Sequence, residues 1–440
     1  MSSKERRVPK MNKEVIKNAR TGEEYTLIKH PTGLDIYVWK MDNFSTTHAL
    51  FGTKYGSINT KFKTKNDPDF ITVPNGIAHY LEHKLFENED CDVFSLYAKT
   101  GASANAYTSF DRTCYLFTTT NNVYESLEIL LNFVQSPYFT EETVRKEQGI
   151  IGQEIRMYDD NAGWRVFFNM LQGMYHNHPV KIDIAGTVES IAQINADLLY
   201  KCYYTFYNLN NMVLSIAGNV DVDKVLEVCD KCLKQNENIE LETAFEDEPD
   251  SVCEKEVVQK LEIAMPMFNI GFKAKPESGL AALKAEIETN FVLSLIANES
   301  SEFYKKLYDE GIINSTFYSE VFCGDGYFCS IFGGEARDPR LVRDKIVEEV
   351  KRCKREGLDE SRFSTIKKAY YGSLIKGLDD AENLATIMLN NGMEGLSAFD
   401  RIETVANCTF EDVTKRLMTQ FNTENVTLSI IDPVNGREDK

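Results

Sequence analysis

Apolar positions recur along the chain with two different periods, and the switches between them mark out strands and helices. Residues 25–41 read as two strands around Pro31-Thr32-Gly33, and residues 48–57 as another, before a loop rich in Lys, Asn and Asp. Residues 76–87 then take helical spacing. Ile77, Tyr80, Leu81, Leu85 and Phe86 are left for burial, and Asn75, after Pro74, is the expected N-cap. Residues 101–113 and 114–119 predict paired strands. Helices are expected over 123–135, 140–157, 164–175, 195–207 and 222–233, with a strand at 211–219.

Residues 235–250 are acidic and poor in apolar periodicity, so they read as a linker. Beyond it the order of elements repeats. Residues 253–272 are strand-like, 280–297 helical, 317–332 a hairpin around Gly324-Asp325-Gly326, and 339–356 and 361–378 helical. Asn425-Val426-Thr427-Leu428-Ser429-Ile430 echoes the stretch from Asn211 to Ile216. Gly372 and Asp379-Asp380 echo Gly152 and Asp159-Asp160 at an offset of 220, so an internal duplication is expected. The fold class that follows is α+β: two homologous domains, 1–234 and 255–440, joined by the acidic linker 235–254. Each is expected to be a mostly antiparallel sheet with helices packed on one face.

Composition narrows the reading. With 42% hydrophobic and 27% charged residues, a chain of 440 residues has ordinary globular character and length for two or three domains. No apolar run approaches the ~20 residues of a membrane span, and residues 1–18 are polar and basic without the apolar core of a secretion signal. The expected location is the cytoplasm. A net charge of −19 argues against nucleic acid as a partner and suits cationic peptides. Ten scattered cysteines, from Cys91 to Cys408, form no disulfide framework. The Cys229-x-x-Cys232 pair lies in a helical pattern and is expected to pack.

The chemistry concentrates in His79-Tyr80-Leu81-Glu82-His83. On a helix, positions 79, 82 and 83 share one face. Two imidazoles one turn apart can share a Zn2+ at about 2.0–2.1 Å, with a third protein ligand and a water completing a tetrahedron and Glu82 beside that water to take its proton. A third ligand is offered by the helix over 140–157, capped by Thr140. Glu147 and Glu154 are seven residues apart there, almost two turns, so both project from one face. One can ligate while the other supports it. At the 220-residue offset these become Lys367 and Leu374, and no histidine follows His178, so one metal site per chain is expected.

The inverted His-x-x-Glu-His resembles the signature of the pitrilysin-type inverzincins, a family that includes insulin-degrading enzymes and mitochondrial processing peptidases. The resemblance implies His79, His83 and Glu154 as zinc ligands, Glu82 as general base and Glu147 as an assisting carboxylate. It implies further that the strand carrying Asn105, Ala106 and Thr108 lies beside the zinc and pairs with an extended peptide. The His176-x-His178-Pro179 pair, followed by Gly186-Thr187-x-Glu189-Ser190-Ile191, matches a family segment that does not ligate metal. Many relatives place an Arg and a Tyr in the second domain to hold substrate and oxyanion; the matching segment has Tyr308 and Asn314 instead. The resemblance thus implies a zinc-dependent endopeptidase subunit acting on peptides or unfolded segments. A related subunit would carry the Arg/Tyr pair, with a homodimer as the other arrangement. The alternative is a noncatalytic assembly or peptide-binding subunit on the same fold.

Overall fold

A computed structural model describes residues 12–89, 92–235 and 237–434; Cys91 and the basic residues 1–11 lie outside them. The chain forms two compact units. Among the described residues, one comprises those within 12–151, 184–244 and 375–399, the other those within 152–183, 245–374 and 400–434. These units do not follow the linear division into 1–234 and 255–440, and the reason lies in two helices described below.

The strands of the first unit are β1 (Asn12–Lys17), β2 (Glu24–Lys29), β3 (Asp35–Lys40), β4 (Thr47–Thr53), β5 (Lys61–Thr64), β6 (Ile71–Thr72), β7 (Ser103–Thr108), β8 (Thr113–Thr119), β9 (Met212–Gly218) and β10 (Leu241–Thr243). Seven form one sheet in the order β1-β2-β3-β9-β4-β8-β7, antiparallel except for the β3–β9 pair. Central strands β4 and β9 are buried at every position, which is why their sequences read as continuous rather than alternating apolar runs. A small second sheet, β10-β5-β6, draws a three-residue strand out of the acidic stretch expected to be linker. The β1 strand lies in residues whose polar pattern gave no sign of it.

One face of the large sheet is covered locally. Tyr115 of β8 packs on Phe133 of helix Val123–Val134 and on Tyr207, just past helix Ala196–Phe206. The other face is covered by helix Ala381–Met393, from the far end of the sequence. Ser215 of β9 donates to the Ala385 carbonyl at 2.6 Å, and a Cβ on Gly52 of β4 would lie 2.7 Å from the Met393 methyl.

The second unit mirrors this. Its strands β11 (Glu256–Leu261), β12 (Met267–Ala274), β13 (Tyr318–Gly324), β14 (Tyr327–Glu335) and β15 (Val426–Pro433) run in the order β11-β15-β12-β14-β13, antiparallel except for β11–β15. Helices Gly279–Ala297, Pro339–Glu356 and Phe410–Gln420 pack on this sheet. On the face that Gly271 of β12 presents lies helix Ala162–Met174, from the first half of the sequence; a Cβ there would meet the Met174 methyl at 2.1 Å. Each half of the sequence therefore gives a thirteen-residue helix to the other half's sheet, and the two helices start 219 residues apart. Helices Glu141–Asp159 and Glu360–Lys376 carry the chain from one unit into the next.

Candidate metal centre

The His-x-x-Glu-His stretch forms helix Ile77–Leu85. Its start differs from expectation. The N-cap is Gly76, not Asn75, in the left-handed region at φ 88°. The cause is long-range: a Cβ at 76 would stand 2.3 Å from the Ala185 carbonyl oxygen, and one at Gly186, also left-handed, 2.5 Å from the Asn75 oxygen. Ser190 donates its hydroxyl to that Asn75 oxygen at 2.9 Å and shares a capping box with Thr187. The Gly186-Thr187-x-Glu189-Ser190 segment thus sets where the motif helix begins. The helix buries Ile77, Tyr80, Leu81 and Leu85, and the Tyr80 hydroxyl donates to the Val144 carbonyl of the neighbouring helix. Lys84 is wholly buried and pairs with Glu87.

That neighbour, Glu141–Asp159, opens on Thr140, whose Oγ1 accepts from the Thr143 amide at 3.2 Å, with Glu141 and Glu142 in the first turn. Val144, Ile151 and Ile155 are buried, and Gln148 donates to the carbonyls of Ile191 and Ile194. This packing fixes the rotation of the helix and turns Glu147 and Glu154 toward the motif helix. The helix is continuous, and Glu154 lies one turn beyond the point where the first unit ends.

One ligand atom from each of His79, His83 and Glu154 lies within 4.8 Å of the others. The two imidazole rings stand 4.6 Å apart at 62°. Two imidazole nitrogens and one carboxylate oxygen are the donor set of a catalytic zinc site, and ligands about 2.0–2.2 Å from a common ion need only a small closing of this spacing. Burial, and next the neighbouring His83 ring, lowers the His79 pKa to about 3, so its imidazole stays neutral with a lone pair to give. The residues fit the metal. His83 Nδ1 is bonded to Glu147 Oε1 at 3.0 Å, which fixes that ring and makes Nε2 the atom it could offer a metal. Burial pulls the Glu147 carboxyl upward, but the His83 bond and charge, with Lys84 and Lys146, bring its pKa below the ordinary value.

Glu82 lies between the two histidines, and its Oε2 accepts the Thr108 hydroxyl at 2.7 Å. Thr108 ends β7, an edge strand whose sheet order places β8 on one side only. Asn105 is exposed on that strand and its Oδ1 accepts from the Ala106 amide. The turn into β8 is held by Arg112, which bonds both oxygens of Asp111 and the side chain of Asn390.

Other candidate residues are engaged elsewhere. His178 accepts from the Val180 amide at Nδ1 and meets the Asp325 carbonyl at Nε2, and burial lowers its pKa to about 4. Glu248 accepts the amides of His176, Asn177 and His178 and pairs with the buried Lys273, which together outweigh burial and bring its pKa to about 2. Neither Glu248 nor Lys273 stood out in the sequence, for no local pattern marks a carboxylate that closes a loop 70 residues away. Cys229 and Cys232 are both buried. Tyr308 is exposed, and Asn314 Oδ1 accepts from the Thr316 amide and hydroxyl in a turn.

Residues 72–188 match the model of Insulinase (Peptidase family M16), and residues 193–370 match that of the Peptidase M16 inactive domain. The chain is 40% identical over 410 residues to YmfH of Bacillus subtilis, named an uncharacterized zinc protease, covering 92% of this chain and 96% of that one. A crystal structure from Alicyclobacillus acidocaldarius, described as an M16-like peptidase, superposes with a TM-score of 0.89 at 30% identity, over 96% of this chain and 98% of that one. A chain of complex III2 from Candida albicans shares the fold at a TM-score of 0.71 and 14% identity, over 91% and 94%. With family models over both halves and a relative at 40% identity over nearly its whole length, the chain belongs to the pitrilysin-like insulinase family, peptidase family M16.

Proposed function

We propose that this protein is a zinc-dependent endopeptidase subunit that cleaves peptides or unfolded segments. The observation that carries the reading is the convergence of His79, His83 and Glu154 around one point with Glu82 on the intervening turn. Zinc held there would polarise the scissile carbonyl and acidify the attacking water. Glu82 takes the water's proton and later delivers it to the leaving amine nitrogen. Glu147 holds the His83 ring in its ligating orientation. The open edge of β7 offers the backbone groups around Asn105, Ala106 and Thr108 to an extended chain, which accepts any sequence through main-chain bonds. The net charge of −19 favours cationic substrates.

The second reading, a noncatalytic assembly subunit, draws on the fold shared with a chain of complex III2. One experiment separates the two. The peptidase reading expects about one zinc per chain and peptide hydrolysis that falls by roughly 10²–10⁴-fold in Glu82→Gln with zinc retained. Zinc binding without any hydrolysis, whether the chain is assayed alone or together with a related subunit, would favour the assembly reading.

Because Tyr308 and Asn314 stand where relatives are expected to carry Arg and Tyr, we also propose that full turnover draws on a related subunit that supplies oxyanion donors. Assays of the chain alone and mixed with such a relative, with complex mass followed in parallel, test this. Equal rates in both would remove it.

A further inference from the structure

A threonine hydroxyl has a single proton, and the one on Thr108 is directed at Oε2 of Glu82, 2.7 Å away. It is therefore not available to a peptide carbonyl. The residue is held from behind: Thr108 pairs across the strands with Thr113, which is fully buried and donates its own hydroxyl to the Tyr55 carbonyl at 2.8 Å. The contact between the two threonine oxygens, 3.4 Å, is long beside these. Glu82 needs such a hold, because the terminal torsion of a glutamate is broad and two-fold, and nothing intrinsic sets the plane of its carboxylate.

We propose that Thr108 is a positioning residue for the general base: it pins one oxygen of Glu82 and so fixes the plane in which the other meets the water. The assignment rests on the peptidase reading and moves Thr108 from substrate contact to base orientation. It also joins two tasks on one strand. The β7 backbone that would register an extended substrate ends on the side chain that aims the base, so register and base are set from one rigid element.

The experiment uses the zinc-loaded full chain with Thr108→Val, which keeps the shape and removes the hydroxyl, and Thr108→Ser, which restores it. Thr108→Val is expected to lower kcat about tenfold or more, the range for groups that orient catalytic residues, with KM and zinc affinity each within about twofold. Thr108→Ser is expected to recover most of kcat. A loss in KM alone, an unchanged kcat in the valine variant or failure of serine to rescue overturns the proposal. Crystal structures of the zinc-loaded wild type and valine variant give a readout independent of turnover: one Glu82 carboxylate orientation in the former, and a rotated or divided one in the latter. The same orientation in both overturns the proposal as well. If the wild type hydrolyses no peptide, alone or with a related subunit, the peptidase reading fails, while the carboxylate orientation still decides whether Thr108 sets it.

Discussion

Helices Glu141–Asp159 and Glu360–Lys376 are counterparts in a duplicated chain, yet they use their inner faces differently. Where the first carries Glu147 and Glu154, the second carries Lys367 and Leu374. Glu147 is hydrogen-bonded to the His83 ring, and Glu154 lies with His79 and His83 in a group that could hold a metal ion. Lys367 instead donates to the carbonyls of Ala406 and Cys408, closing the C-terminal end of helix Asp400–Asn407 with a cation where the helix dipole is negative. The backbone that carries the candidate metal centre in one copy thus makes a helix cap in the other. Chemistry here depends on a few side chains placed on a scaffold that both copies share.

The largest effect that would break the comparison is on zinc. Glu154→Gln is expected to weaken zinc by more than about 100-fold, because even supporting partners of ligands cost about 10–100-fold. Leu374→Glu should gain no site, since the second copy has no histidines to join it. Competition with a chromophoric chelator measures both, and a Glu154→Gln affinity within tenfold of wild type would remove that residue from the ligand set.

A smaller, opposite result is expected of Lys367→Met. Losing two charge-assisted bonds to carbonyls should cost about 1–2 kcal/mol of stability and leave zinc affinity unchanged. Calorimetry with a parallel zinc titration checks this. Altered zinc binding would mean that the two helices are coupled in a way their separate roles do not explain.

The smallest effect concerns glycine. Gly149 and Gly152 lie in the interior of the ligand-bearing helix, and Gly372 in that of its counterpart, and a Cβ at any of the three would meet no atom within 4 Å. Each Gly→Ala change should raise stability by about 1 kcal/mol, the difference in helix propensity, equally in both copies. A thermal midpoint that falls for Gly149→Ala or Gly152→Ala, but rises for Gly372→Ala, would set the two helices apart in flexibility as well as in side chains.

Much of the site was legible because it is local. His79, Glu82 and His83 fall within one turn, Glu147 and Glu154 within two, and helical spacing alone puts each set on one face. The start of the motif helix was not, because the carbonyl of Ala185, more than a hundred residues on, decides between Asn75 and Gly76. The bond from Thr108 to Glu82 was not legible for a similar reason: it spans 26 residues and two elements. In the fold, the alternation of strands and helices and the internal repeat could be read directly. The apolar periodicity of helices Ala162–Met174 and Ala381–Met393 showed that each buries a face, but periodicity carries no information about which sheet receives it. The strand Leu241–Thr243 has too few apolar residues to stand out and becomes a strand only through its pairing with β5.

The exchanged helices make the duplicated chain equivalent to a domain-swapped dimer whose two subunits have been fused. A break in the acidic stretch between the halves would release two fragments, each with one sheet face stripped of its helix and a spare amphipathic helix of its own. Such fragments are complements, since each carries the helix that covers the other's sheet. Relatives assembled from separately encoded halves would therefore have to be made together, and an inserted segment in the acidic stretch is tolerable only while its ends still let the two helices reach across.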